Sequence, residues 1–189
     1  MEEIVLVGFG GHAKSVGDCI ERGGKYHIVG YTDIKKTDSQ YPYLGNDEKL
    51  QTIFESGVRN AAVVIGYMGK GNLRQRIYTN LKKIGFNLPV IIDPSAIISN
   101  SVVIGEGTFV GKGAIINAEA KIGKMVIINT DSLVEHECVV GNFSHVAVGA
   151  VLCGQVNVGE AAFIGANATV IQCREVKSNT IIPAGATIR

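Results

Sequence analysis

The chain has 189 residues, 46% hydrophobic and 6% aromatic with no tryptophan, and its 24 glycines are about twice the usual share. So much apolar content excludes a disordered chain, and 18 Lys and Arg against 17 Asp and Glu leave +1, no field that would draw nucleic acid or an anionic membrane. No apolar run nears the roughly 20 residues of a membrane span, the acidic start Met1-Glu2-Glu3-Ile4 is unlike a signal peptide, and Cys19, Cys138, Cys153 and Cys173 lack CxxC spacing, so reduced thiols in a cytoplasmic protein are expected.

Ile4–Val7 reads as a short strand running into Gly8-Phe9-Gly10-Gly11-His12, and Ala13–Arg22 as a helix stopped by Gly23-Gly24. A second strand is expected over His27–Thr32, a short helix over Asp47–Ser56 after the turn residues Gly45-Asn46, and a fully apolar strand over Ala61–Ile65, closed by Gly66. Leu73–Ile84 is a charged amphipathic helix ending at Gly85, and Leu88–Ile92 closes the set. Strands alternating with helices imply a parallel βαβ sheet, here a small Rossmann-like domain over residues 1–93. Gly8, Gly10 and Ala13 satisfy G-x-G-x-x-A with Asp33 about twenty residues on, which alone is weak evidence for NAD. A glycine turn feeding a helix does place backbone N–H groups where they can face phosphate.

After Pro94 the period changes. Every sixth residue from Ile98 to Ile188 is Val, Ile or Leu without a slip, and the residue two before each is small at every step except Arg174. Gly105, Gly111, Gly123, Gly141, Gly159 and Gly165 directly follow an aliphatic residue, which suits tight corners. A repeat this short is the signature of a β-solenoid, in which the aliphatic residue points into a three-sided prism and the small one fits beside it. Three hexapeptides make one coil of eighteen residues, so residues 94–189 form about five coils. Arg174–Asn179 is expected to be a loop or a distorted last coil.

His136 and His145 lie inside this repeat but outside its inward slots, so both should project from the prism. Acyl transfer from a thioester to an amine or hydroxyl needs a base of near-neutral pKa, a task that suits His. A neighbouring carboxylate can orient the ring, and Glu135 and Glu137 flank His136, with corner geometry deciding which one reaches it.

Two segments carry a resemblance, Ile127-Ile128-Asn129-Thr130-Asp131-Ser132-Leu133-Val134-Glu135-His136-Glu137-Cys138 and Val140-Gly141-Asn142-Phe143-Ser144-His145. With the Gly-x-Gly-Gly-His turn and the hexapeptide run, the chain over about residues 2–188 resembles the NeuD/PglD sugar acetyltransferase family of the hexapeptide acyltransferases. The resemblance implies a left-handed parallel β-helix, a homotrimer with active sites at subunit interfaces, and acetyl-CoA as co-substrate. It implies His136 as general base, Glu137 as its partner, and Asn129 and Glu135 as lesser active-site candidates. His145, Gly165, Ala166 and Gly185 would contact acetyl-CoA. Gly10, Gly11, His12, Thr32, Asp33 and Gly66 would bind a nucleotide-sugar, with Asn72 a weaker member after the Tyr67–Gly71 loop. The expected reaction is N-acetylation of a UDP-linked 4-amino-4,6-dideoxy sugar for surface glycan synthesis. The rival readings are O-acetylation of a sialic-acid-like sugar on the same scaffold and a non-enzymatic β-helical scaffold. A hexapeptide β-helix can also hold zinc through three histidines, but this one has only two, and no metal is expected.

Overall fold

The computed structural model describes residues 1–189 apart from 67, 68 and 70, within the Tyr67–Gly71 loop. The chain divides into two compact units, Met1–Pro89 and Val90–Arg189.

The first unit runs β1 (Glu2–Val7), α1 (Gly11–Gly23), β2 (Tyr26–Thr32), a 3-10 turn over Asp47–Lys49 leading into α2 (Leu50–Glu55), β3 (Asn60–Val63) and α3 (Leu73–Ile84). Its parallel sheet has the order β2-β1-β3. Ile4, Val5, Leu6 and Val7 are all fully buried, the continuous apolar run of a central strand covered on both faces. Helix α1 buries Ala13, Val16, Gly17, Cys19 and Ile20, one stripe at helical spacing. It stops at Gly24, whose left-handed φ of 64° lets its N–H reach the carbonyls of Ile20 and Glu21.

Leu88–Ile92 does not close this sheet as a strand. Asn87 bridges to Asn60, Pro89 has no N–H to offer a ladder, and Ile91–Ile92 instead pairs with Phe109–Val110 as the first rung of the second unit.

That second unit is a three-sided parallel β-helix of two-residue strands, in sheets of six, six and five rungs. The first sheet stacks Ile91–Ile92, Phe109–Val110, Ile127–Ile128, His145–Val146, Phe163–Ile164 and Ile181–Ile182. The second runs from Ile97–Ile98 to Thr187–Ile188, and the third from Val103–Ile104 to Glu175–Val176. Each rung pairs in register with the one eighteen residues on, as Ile127 does with Phe109 and His145. From Ile98 onward the second residue of each strand points inward, and with the small residues two before it builds one core: Val110, Ala114, Ile116, Ala120, Ile122, Val126 and Ile128 are all at most 3% exposed. Polar members are satisfied within the stack, for the Thr108 and Ser144 hydroxyls donate to the Gly123 and Gly159 carbonyls one coil on, each at 2.8 Å. Because Ile128 is wholly enclosed, Ile128→Ala is expected to cost about 2–5 kcal/mol, read as a lower urea midpoint with an unchanged m-value.

The corner glycines owe their place to stacking rather than to backbone conformation. From Gly107 to Gly185 the left-handed position lies three residues after the aliphatic one, and ten of these corners carry a side chain, among them Glu137, Phe143 and Gln155. The glycine directly after the aliphatic residue is not left-handed. A Cβ on Gly105 would sit 2.6 Å from the backbone of Gly123, and one on Gly165 2.5 Å from the Ala184 nitrogen. Arg174–Asn179 is likewise regular: Glu175–Val176 pairs with Asn157–Val158, and the exposed Arg174 sits on the last rung of the third sheet, where its size is tolerated.

Candidate active site

In the first unit, the glycine turn and the ends of β2 and β3 open onto a cleft of about 590 Å³. Gly10, Gly11, His12, Asp33 and Gly66 line it together, as do Asp47, Glu48 and Ile65. Of the six sequence-derived substrate residues only Thr32 is absent from the lining. It is fully buried, and its hydroxyl donates to Asp47 Oδ1 at 2.8 Å, so it holds a wall rather than forming one.

The glycines of the turn divide by cause. Gly8 has φ +88° and a Cβ there would collide with Ile65, so packing requires it. A Cβ on Gly10 or Gly11 would meet nothing within 4 Å. With no side chain on either, a ligand can approach the N-terminal end of α1 closely, the arrangement that suits an anionic group. Asp33 braces the turn, its two carboxylate oxygens accepting from the Phe9 and Ile34 N–H groups, each at 2.6 Å. Burial, with the nearby Arg74 charge second, pushes His12 down to about 4. At pH 7 it is a neutral imidazole, a hydrogen-bonding group rather than a cation for phosphate. Asn72 stands at the N-cap of α3 without a side-chain cap bond.

In the second unit, His136 sits on the corner between the second and third sheets. Its Nδ1 lies 3.1 Å from Glu137 Oε2, with both side chains about half exposed. Corner geometry thus selects between the two glutamates: Glu137 reaches the imidazole, whereas Glu135 accepts from Asn117 Nδ2 at 2.9 Å and from the His136 N–H at 3.1 Å. Gln155, one coil on, donates to the same Glu137 oxygen at 3.0 Å. The Gln155 bond first, and His136 second, hold the Glu137 carboxyl below its usual range. An ionised Glu137 takes a proton-bearing Nδ1, which leaves the Nε2 lone pair to act as a base.

His145 does project from the prism, but it is only 7% exposed. It meets the Phe163 ring edge-on at 5.2 Å, and its Nε2 is 3.2 Å from Asn129 Nδ2. Asn129, Gly165, Ala166 and Gly185 follow one another along the edge between the first and second sheets, adjoining His145. His136 and Glu137 stand on the next edge, so a single chain does not bring the two sets together. Stacking alone accounts for Gly165, as above, whereas Gly185 has a left-handed φ of +69° at a corner position that side chains fill elsewhere in the helix, and a Cβ there would meet nothing within 4 Å.

Sequence reasoning missed Asn46, Asp47 and Glu48 at the cleft, and Asn117, Gly154 and Gln155 around His136. A Cβ on Gly154 would lie 2.5 Å from His136 Nε2, so this glycine makes room for the ring. Among the described residues no three His, Cys, Asp or Glu side chains are grouped to hold a metal ion, and no helix is long and apolar enough to cross a membrane.

Comparison with known proteins follows this geometry. Residues 3–81 match the family described as the PglD N-terminal domain. The chain is 35% identical to a mutant GDP-perosamine N-acetyltransferase from Caulobacter crescentus, solved in complex with CoA and GDP-perosamine. That match covers 100% of this chain and 89% of the other, with a TM-score of 0.94. It is 32% identical to the acetyltransferase domain of PglB from Neisseria gonorrhoeae over 100% of this chain and 92% of that one, TM-score 0.93. The same domain in complex with acetyl coenzyme A gives 30% identity over 99% and 92%, TM-score 0.88. No curated protein sequence matches the chain. With both units matched end to end, the chain belongs to the PglD-type sugar N-acetyltransferases, left-handed β-helix enzymes of the hexapeptide-repeat superfamily.

Proposed function

We propose that this enzyme transfers the acetyl group of acetyl-CoA to the amine of a UDP-linked 4-amino-4,6-dideoxy sugar, in the cytoplasm, for surface glycan synthesis. The observation that carries the reading is the His136–Glu137 pair, in which the carboxylate takes Nδ1 and leaves Nε2 available. The sugar nitrogen attacks the thioester carbonyl carbon, the C–N bond forms, and Nε2 of His136 takes the proton the nitrogen sheds. The C–S bond then breaks and the sulfur leaves as the CoA thiol, protonated from the imidazolium, so the base is regenerated. Glu137 holds the ring in one tautomer and stabilises its cationic form.

The nucleotide belongs in the first unit's cleft, with its diphosphate at the bare N-terminus of α1 and its base toward Asp33, Asn46, Asp47 and Glu48. Acetyl-CoA lies along the Asn129–Gly165–Ala166–Gly185 edge, with His145 near the thioester. The active form is a homotrimer. What supports this is the separation of that edge from His136 on one chain, a gap that a neighbouring subunit closes.

Thiol release from acetyl-CoA tests the proposal with three acceptors: UDP-linked and GDP-linked 4-amino-4,6-dideoxy hexosamines, and free sialic acid. Rapid release with the UDP sugar is expected. Release with the GDP sugar alone would replace the carrier nucleotide, release with sialic acid alone would replace the acceptor atom, and a sedimentation mass of one chain would remove the shared site.

A further inference from the structure

We propose that Gln155 is a positioning residue of the catalytic pair, holding the Glu137 carboxylate against His136 Nδ1 by a hydrogen bond from the next coil of the β-helix. The proposal rests on the reading of His136 as the base and adds a third member that the chemistry of acetyl transfer does not itself demand.

Glu137, Gln155 and Cys173 occupy the same left-handed corner position in successive coils, with φ of 57°, 62° and 57°. This column delivers the side chains one above another. Cys173 Sγ donates to Gln155 Oε1 at 3.2 Å, and Gln155 Nε2 donates to Glu137 Oε2 at 3.0 Å. The ionised Glu137 carboxylate only accepts, so it takes the NH2 end of the amide and leaves the oxygen for the Cys173 thiol. Glu137 Oε2 is also the atom facing His136 Nδ1 at 3.1 Å. One oxygen is therefore held from two sides.

A half-exposed carboxylate in contact with the imidazole alone would sample other rotamers and lose contact for much of the time. The hydrogen bond from the Gln155 amide removes that freedom, and it is the first cause of the downward shift of the Glu137 carboxyl. Glu137 meets His136 on its own corner and Gln155 from the following coil, and Glu119 holds the equivalent corner position of the preceding coil. Gln155 is the neutral donor among them, so it restrains the carboxylate without competing for the proton of the imidazole.

The role is separable from folding. The Gln155 contribution to the coil is its backbone N–H bond to the His136 carbonyl at 2.9 Å, which any substitution except proline retains. Apolar side chains occupy the same left-handed corner elsewhere, at Met125, Phe143 and Ala161. Gln155→Met keeps side-chain length and removes the amide, both the donor to Glu137 and the acceptor for the Cys173 thiol, and Gln155→Gly relieves any backbone strain as a second variant.

The test is an NMR titration of the His136 imidazole in wild type, Gln155→Met, Gln155→Gly, Glu137→Gln and the Glu137→Gln/Gln155→Met double variant. The expected result is that both Gln155 variants move the His136 midpoint to lower pH, as Glu137→Gln does, and that Gln155→Met adds nothing once Glu137 is Gln. In thiol release from acetyl-CoA with the UDP-linked amino sugar, Gln155→Met is expected to lower kcat about fivefold, a fraction of what a positioned base supplies, with both KM values unchanged. An unmoved midpoint in both Gln155 variants, or a shift from Gln155→Met that persists on the Glu137→Gln background, overturns the proposal. Absence of turnover in wild type would sink the acetyl-transfer reading alone, because the titration needs no substrate.

Discussion

His136→Ala is expected to lower kcat by about 10²–10⁴-fold, the contribution of one positioned general base, while dissociation constants for acetyl-CoA and the nucleotide-sugar stay within about twofold. The side chain is about half exposed and its ring contributes nothing to the prism, so its loss leaves the core intact. The His136 carbonyl, which accepts the Gln155 N–H, is unaffected by the substitution. Residual turnover would come from holding amine and thioester together, which by itself supplies a large part of such a barrier. His136→Asn is expected to match His136→Ala, because an amide of similar reach has no basic lone pair. Stopped-flow or steady-state thiol release with the UDP-linked amino sugar reads the effect, and equilibrium dialysis reads binding. A His136→Ala enzyme turning over within about threefold of wild type would remove the base from the mechanism. A parallel loss of both affinities would instead make His136 a binding group.

The β-helix was legible because its information is one-dimensional. One aliphatic residue in six from Ile98 to Ile188 determines which side chains point inward, and every rung then repeats the same packing problem eighteen residues later. The first unit was legible in its elements but not at its end. Leu88–Ile92 has the apolar character of a strand, and only the ladder shows Ile91–Ile92 paired with Phe109–Val110. Gly10, Gly11 and His12, which line the cleft together, were legible as a group because they are adjacent in sequence. Asp47 and Glu48 were missed because they arrive from a 3-10 turn and carry no motif.

Around His136 the limit was different. Flanking residues are obvious from sequence, yet neighbours in a solenoid come from other coils. Adding eighteen to His136 and Glu137 names Gly154 and Gln155, the two residues that touch them. The signal was present in the repeat length. The choice between Glu135 and Glu137 needed the backbone itself: the left-handed φ of Glu137 turns its side chain to the ring, while Glu135 turns toward Asn117.

Gly154→Ala is expected to cost about 10–100-fold in kcat with almost no loss of stability. An alanine Cβ would sit 2.5 Å from His136 Nε2 and 2.6 Å from Cε1, far inside van der Waals contact, so one of the two must move. The obstacle is the far end of a half-exposed side chain, and swinging the imidazole is far easier than separating two coils of a packed prism. The ring therefore leaves its place over the next coil, and the Nδ1 bond to Glu137 is stretched with it. A displacement of about 1 Å at a reacting atom is enough for a hundredfold loss, whereas a surface substitution that strains no backbone stays within about 0.5 kcal/mol. Gly165→Ala supplies the contrast. There the added carbon would lie 2.5 Å from the Ala184 nitrogen and 2.6 Å from the Ile182 carbonyl oxygen, both backbone atoms that cannot step aside. That variant is expected to lose about 1–3 kcal/mol by overpacking. Urea midpoints and thiol-release rates measured on both proteins separate the cases. A Gly154→Ala enzyme with wild-type kcat, or one destabilised as far as Gly165→Ala, would show that Gly154 serves the stacking of coils and not the placement of the base.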